Sequence, residues 1–556
     1  MNKKVCSFPI LFALLALLIG TCAVVFPASA QAAPTSTGSI TVSGTVARSY
    51  DAYQIFSANV VDGDSDAKIA TDLAWASDAA CDAVLPVLHS AGMPNSQTTA
   101  QEAAEWLNTD SHLTSALSAQ LARSLQSSGA VSVALNAGTA AELPCGYWLI
   151  VADDDAIAQN EAGTAPIMAL VGGSAVTVKP KAATPKVSKH VLEDGTAAWQ
   201  KAADATVADD LYWRLSATVP AGLTAYDTYT VRFVDTMSAG LDPSKVAASM
   251  RVYVAAGADG GFDAVSAGKD GRAGTEPAKG WTDITAQCAT KVAADGKTFT
   301  VRTGDLVAAL GGADAFTAGA RVVAVYNAPL NSACNHGIAK GNPNEVYLRY
   351  PRSPFADQSG DAGFTRTPSD DACAYTWDLA LTKRGSDGDK PLAGAVLSIA
   401  DDRGRTLAVD GTWDAEGKAT VTTGEDGRVT VSGVDSGKLE VRELKAPKGY
   451  TAFEGTRSVT VKAEGLDVDQ VAAAKPKLTI TAESPLRADS ADGSTGSLEA
   501  SLINTPTGTP PSITTGGFMP STGDMAMYAA AAAAVAGAAL IVVALLVKRG
   551  GGSHKE

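Results

Sequence analysis

Residues 439–450 read Leu439-Glu440-Val441-Arg442-Glu443-Leu444-Lys445-Ala446-Pro447-Lys448-Gly449-Tyr450, a run of apolar and charged side chains closed by Pro-Lys-Gly. Alternation with period two marks a half-buried strand, and the Pro and Gly end it. Leu439 and Val441 therefore face a core, and Glu443 sits on the same face one step further on. An inward carboxyl needs a partner or a proton, because burying its charge alone is costly.

Candidate partners lie to either side. Trp377, Leu379 and Leu381 share a strand face with Lys383, and Leu502 shares one with Asn504. The same trio is spelled again upstream. Lys189 shares a face with Val187 and Val191, Asp235 with Val231 and Phe233, and Asn344 with Val346, Leu348 and Tyr350. Strand phase selects Lys189 and Asn344 over their neighbours Lys186 and Asn342.

An amine, an acid and a carboxamide in one core have a chemistry of their own. In an apolar setting the amine loses its proton and the acid gains one. Neutral lysine is a nucleophile, and a protonated carboxyl polarises the carboxamide and carries the proton with which ammonia departs. The product is a Lys–Asn isopeptide bond. The expected cross-links are Lys189–Asn344 and Lys383–Asn504, with Asp235 and Glu443 as assisting acids. They close loops of 155 and 121 residues, each worth about 4 to 5 kcal/mol on the loop-closure entropy that applies to disulfides.

The 439–450 run resembles the E-box, YxLxETxAPxGY, of pilins and collagen-adhesin B-type (CnaB) domains, with Leu439 for Tyr, Val441 for Leu and Leu444 for Thr but the Glu in place. The resemblance implies the same roles for Glu443, Lys383 and Asn504. Phe233-Val234-Asp235-Thr236 and the run from Asn342 to Tyr350 are similar to the fimbrial isopeptide-forming domain of Gram-positive major pilins.

Both ends of the chain carry export signals. Met1 to Lys4, an apolar stretch from Val5 to Val25 and Ala28-Ser29-Ala30 read as a secretory signal peptide, 1–30, with an uncleaved anchor as the alternative. Met519-Pro520-Ser521-Thr522-Gly523, an uncharged apolar stretch from Met525 to Val547 and Lys548-Arg549 follow one another near the other end. The 525–547 stretch is long enough for a transmembrane helix, and its basic flank stays in the cytoplasm. The pentapeptide resembles the LPXTG sorting signal of Gram-positive surface proteins, with Met519 for Leu. That implies a sortase substrate, in which a thiolate attacks the Thr522 carbonyl, Gly523 leaves with the helix, and an amine of peptidoglycan or of another protein resolves the acyl-enzyme. A permanent anchor is the other reading of the same segment.

Composition narrows the classes. The 556 residues carry a net charge of -15, which offers no basic surface to nucleic acid, and the five His and seven Cys form no metal-binding spacing. No metal or other cofactor is expected. Between the ends, breaks at Ala182–Pro185 and Pro351–Asp371 and the Pro/Thr/Gly-rich 506–518 linker divide the chain into an N-terminal domain (31–181), a fimbrial isopeptide-forming domain (182–352) and a CnaB-like isopeptide domain (372–505), before the sorting signal (519–556). In the first, strand alternation at Ser39–Val46 gives way to helical spacing over Asp66–Ser127 and then to strands again. The expected fold is mainly β: tandem immunoglobulin-like (CnaA/CnaB-like) β-sandwiches behind a mixed α+β domain, with a C-terminal transmembrane helix. Cys81 and Cys145 are disulfide candidates within the first domain, and Cys288, Cys334 and Cys373 leave the pairing open.

Val176-Thr177-Val178-Lys179-Pro180-Lys181 partly matches the pilin motif WxxxVxVYPK, which implies that Lys181, with Lys179 competing, resolves the acyl-enzyme of the next subunit. The reading as a whole is a non-enzymatic backbone subunit of a cell-surface fimbria, membrane-anchored as precursor and joined to further copies, to peptidoglycan and to accessory pilins. The alternative is a wall-anchored adhesin or minor pilin that binds host surface ligands such as matrix or glycan.

Overall fold

The computed structural model describes residues 36–44, 47–64, 67–109, 112–180, 184–219, 225–257, 280–312 and 319–508. These residues are mainly strand, and the helices of eight residues or more among them all lie before residue 130. The leader, Lys181, the sorting pentapeptide and the apolar 525–547 stretch fall outside the described residues. Among those described, no helix is long and apolar enough to cross a membrane.

In the first unit a long strand, Ser49–Asp62, pairs with Lys68–Trp75, Ser132–Asn136 and Gly146–Ala152. Three helices, Asp78–Ser90, Ala100–Asn108 and Ser115–Ser128, lay Ala83, Val84, Leu88, Leu121 and Leu125 on one face of this sheet, against Ile55, Phe56, Leu149 and Val151. Each helix starts at a hydroxyl cap, Ser77, Thr99 or Thr114, whose side chain accepts from a backbone N–H of the first turn. The helical spacing expected from Asp66 begins only at Ser77. Residues 68–75 are a strand instead, because the Ser49–Asp62 edge offers them a register that Ile69 and Trp75 can join. Val176–Val178 runs parallel to Thr37–Val42 and brings the chain out of this unit.

The middle unit packs two six-strand rows face to face. One runs 198–200, 186–193, 212–219, 320–327, 251–256, 282–283; the other runs 202–204, 370–375, 342–351, 232–237, 298–302, 289–292. Trp213, Leu215, Val231, Phe233, Val322, Ala324, Val346 and Leu348 fill the space between them. The segment expected to be a break, Pro351–Asp371, is part of this unit. Phe364–Arg366 and Asp370–Tyr375 both pair antiparallel to Asn342–Pro351, so the sandwich extends to Tyr375. Its Pro, Gly and Asp residues form the turns between these short strands.

The third unit is a second sandwich. Trp377–Gly385 lies between Arg428–Val434 and Ser497–Pro506, the last pairing parallel, so the first and last strands are neighbours. The opposing sheet centres on Val396–Ala400, Gly437–Lys445 and Thr456–Glu464. Trp377, Leu379, Leu381, Val441, Val459, Leu498 and Leu502 form its core.

Candidate functional site: two buried amine, acid and carboxamide trios

Lys189, Asp235 and Asn344 meet in the middle core, each wholly buried. Lys189 comes from one sheet; the acid and carboxamide come from neighbouring strands of the other. Asp235 is opposite Val346 and Met237 is opposite Asn344, a diagonal arrangement that points both side chains inward. Lys189 Nζ donates to Asp235 Oδ2 at very short range and to the Tyr326 hydroxyl at 2.9 Å. That hydroxyl in turn donates to Asp235 Oδ2 at 3.0 Å and accepts from Asn344 Nδ2 at 2.8 Å. The ammonium lies 5.4 Å from the ring centroids of Trp213 and Tyr326.

Burial dominates the electrostatics here. It pulls Lys189 down to about 8 against the opposing pull of Asp235, and it pushes the Asp235 carboxyl up despite the adjacent lysine. Both shifts favour the neutral forms, an amine with a free lone pair and a carboxylic acid with a proton to give. Asp235 Oδ1 and Asn344 Oδ1 are buried with no hydrogen-bond partner. A proton on the carboxyl is what such oxygens lack.

The second trio is built differently. Lys383 pairs in register with Leu502, which places Asn504 on the same face of the adjacent parallel strand, while Glu443 reaches across from the opposing sheet. Lys383 Nζ donates to the Leu502 carbonyl at 3.0 Å and lies 3.9 Å from Glu443 Oε1. Asn504 Nδ2 is 2.9 Å from both Glu443 oxygens, and Oε2 also accepts from the Phe453 N–H at 3.1 Å. Burial again lowers the amine, to about 8, with Glu443 opposing. Asn504 Oδ1 is buried without a partner. Rotating the carboxamide by half a turn exchanges N for O, so a protonated Glu443 would donate to Oδ1 where a carboxylate accepts from Nδ2.

The structure thus brings together all six residues singled out as isopeptide partners and acids. It corrects the reason for choosing Asn344 over Asn342. Both are buried and share a strand phase, so phase does not separate them. Asn342 is set apart by its hydrogen bonds: it accepts from the Asn335 N–H and donates to the carbonyls of Asn335 and Ala374. Lys186 is exposed. The disulfide candidates are also corrected, since Cys81 and Cys145 are free, as are Cys288, Cys334 and Cys373. Cys81 sits half-buried on the first helix, whereas Cys145 is buried beside Gly172, where even a Cβ would crowd its sulfur. Lys179 is exposed after the last strand of the first unit; Lys181, Thr522 and Gly523 lie outside the described residues.

Sequence reasoning missed two features. One is Tyr326, an aromatic in the apolar run Val322–Tyr326 that reads as ordinary core. The other is the acidic joint between the sandwiches. Asp204 Oδ2 accepts from Trp377 Nε1 at 2.6 Å and from the Ser436 N–H at 3.0 Å. Glu193, Asp194 and Asp435 place carboxylate oxygens within 4.8 Å of one another nearby. Burial, then Asp204, pushes Glu193 up to about 8.

Comparison with known proteins bears on part of the chain. A family model described as the SpaA prealbumin-like fold domain matches residues 378–475. The trypsin-resistant surface T6 protein of Streptococcus pyogenes is 30% identical over 143 residues, 24% of this chain and 24% of that protein, so the chain matches about a quarter of that relative's length. Similar solved structures include the T6 backbone pilin of serotype M6 Streptococcus pyogenes, with 16% identity, coverage of 85% of this chain and 98% of that chain, and a TM-score of 0.44. The full-length major pilin SpaD from Corynebacterium diphtheriae shows 16% identity, coverage of 85% and 98%, and a TM-score of 0.40. The segment that this family model matches, residues 378–475, holds Lys383 and Glu443 of the second trio.

Proposed function

We propose that the chain is a structural backbone subunit of a covalently polymerised pilus on the surface of a Gram-positive bacterium, stiffened by two self-formed isopeptide bonds. The observation that carries this reading is the pair of buried trios. A free lysine ammonium with no exposure in each of two cores is a poor way to stabilise a sandwich, and an amide in its place removes the buried charge altogether. The chemistry is single-turnover and acts on the protein itself, which makes the chain no turnover enzyme, and its sorting-type sequence makes it a substrate of sortase. Thr522 forms the acyl-enzyme, Gly523 departs with the apolar segment, and Lys181 of a neighbouring copy resolves it. The last subunit goes to peptidoglycan, and accessory pilins and host ligands are the further partners. The surface relative named above and the sorting-type sequence support the location.

Intact mass tests the cross-links. Residues 31–517 under reducing conditions should fall short of the sequence mass by about 34 Da, one ammonia of about 17 Da per bond. Wall extracts should show a ladder of covalent multimers that Lys181→Ala abolishes. A full sequence mass would overturn the isopeptide reading, and a single band from the wild type would leave a singly anchored adhesin.

A further inference from the structure

The two trios differ in one respect that their shared chemistry does not require. In the third unit Asn504 Nδ2 touches Glu443 directly. In the middle unit the described hydrogen bonds include none between Asn344 and Asp235; the Tyr326 hydroxyl stands between them. A phenol has one proton and two lone pairs. All three are spent on the reacting groups: the proton on Asp235, the lone pairs on Lys189 Nζ and Asn344 Nδ2. The ring is wholly buried, edge-on to Phe299 at 4.8 Å. Packing alone would be served as well by phenylalanine. Aspartate is one methylene shorter than glutamate, and the tyrosine oxygen fills the missing reach.

We propose that Tyr326 is a catalytic residue of the Lys189–Asn344 cross-link, delivering the proton to the nitrogen that leaves as ammonia. The proposal rests on the isopeptide reading above. Neutral Lys189 Nζ adds to Asn344 Cγ, the carbonyl electron pair moves to Oδ1, and Oδ1 takes the proton of Asp235. The new ammonium centre then returns a proton to Asp235. In the starting carboxamide Nδ2 is planar and has no free lone pair, so it can only donate to Tyr326. In the tetrahedral adduct it becomes pyramidal and basic. Tyr326 O–H then gives its proton to Nδ2 and is reprotonated by Asp235 through the existing hydrogen bond. The Cγ–Nδ2 bond breaks, ammonia leaves, and the carbonyl re-forms as Oδ1 hands its proton back to Asp235. The amine and carboxamide become amide and ammonia, while Asp235 and Tyr326 end as they began. Burial and the Asp235 charge hold the Tyr326 hydroxyl well above its ordinary range, so it rests as a phenol.

The test follows cross-link formation in newly synthesised residues 31–517, with peptide mass spectrometry quantifying the 189–344 and 383–504 links separately in each sample. Tyr326→Phe should slow the 189–344 link by about 10²-fold or more, the usual contribution of a positioned proton donor. The 383–504 link should form at the wild-type rate. Phe299→Leu disturbs the packing around Tyr326 but keeps its hydroxyl, and should leave the 189–344 rate within a few-fold of wild type. If Tyr326→Phe closes the 189–344 link at the wild-type rate, or if Phe299→Leu slows it as much as Tyr326→Phe does, the catalytic role is overturned. Absence of that link from the wild type would instead overturn the isopeptide reading itself.

Discussion

Replacing Glu443 by Gln isolates the contribution of one cross-link. Gln keeps the volume and can still hydrogen-bond Asn504 and the Phe453 N–H, but it cannot relay a proton, so Lys383 and Asn504 should remain separate. The magnitude follows from the loop they would close. They are 121 positions apart, so the unfolded chain regains loop-closure entropy worth about 5 kcal/mol at 25 °C. Unfolding entropy is about 2.1 cal/mol/K per residue, or about 0.28 kcal/mol/K for the third unit, residues 376–506, so its transition should drop by about 15 to 20 °C. Differential scanning calorimetry of residues 31–517 reads this directly, with intact mass confirming that the variant keeps one more ammonia than wild type, about 17 Da. The transition of the middle unit should stay in place. A Glu443→Gln protein that lacks the 383–504 link yet melts within about 3 °C of wild type would refute the loop-closure argument. One that still forms the link would refute the role of the acid.

Asn344→Ala leaves Lys189 as a free amine beside Asp235, and its stability should then gain a pH-dependent contribution that the cross-linked wild type lacks. The folded value is lowered to about 8 by burial, whereas the unfolded value is about 10.4. Between the two the unfolded chain binds more protons, so stability rises with pH, by about 3 kcal/mol from below pH 8 to above pH 10.4. Denaturant titrations at pH 7, 8, 9 and 10 check this, and profiles parallel to the wild type would contradict the buried-amine account. Thiol titration of unreduced, denatured residues 31–517 should count all five cysteines; a count of three would restore a disulfide.

The six side chains of the two trios were legible because a strand has period two. A Lys, Asp, Glu or Asn in phase with Val and Leu is an anomaly that needs no structure to see. Tyr326 was not, because a tyrosine in phase with Val322 and Ala324 is what a core strand is made of; only the tertiary placement shows where its oxygen points. Asn342 marks the limit of the phase argument, since it shares a face with Asn344 and is distinguished only by its bonds to Asn335 and Ala374. The Pro351–Asp371 stretch read as a break because its strands are three to six residues long, too short for alternation to outweigh the Pro and Gly of their turns. The acidic joint left no trace in sequence, since Glu193, Asp204 and Asp435 come from three separated segments.

With both links in place, the topology determines which residues carry tension. In the third unit the chain enters at Trp377 and leaves at Pro506, on first and last strands that run parallel and adjacent. Force then passes from Trp377 to Lys383, through the amide to Asn504 and out, and the segment between those two residues bears none. The middle unit is not closed in the same way. Its link joins Lys189 to Asn344, but the chain continues through Phe364–Arg366 and Asp370–Tyr375 before it reaches Trp377. Residues 345–376 therefore remain in the load path, held by antiparallel pairing to Asn342–Pro351. Asp370 braces that stretch. It accepts from the Lys189 N–H at 2.7 Å and pairs with Lys201, whose ammonium also donates to the carbonyls of Lys189 and Asp371. These bonds anchor the unlinked end of the sandwich to the strand that holds the cross-linking lysine, so the brace guards the longest stretch of the middle unit that the covalent tie leaves exposed to tension.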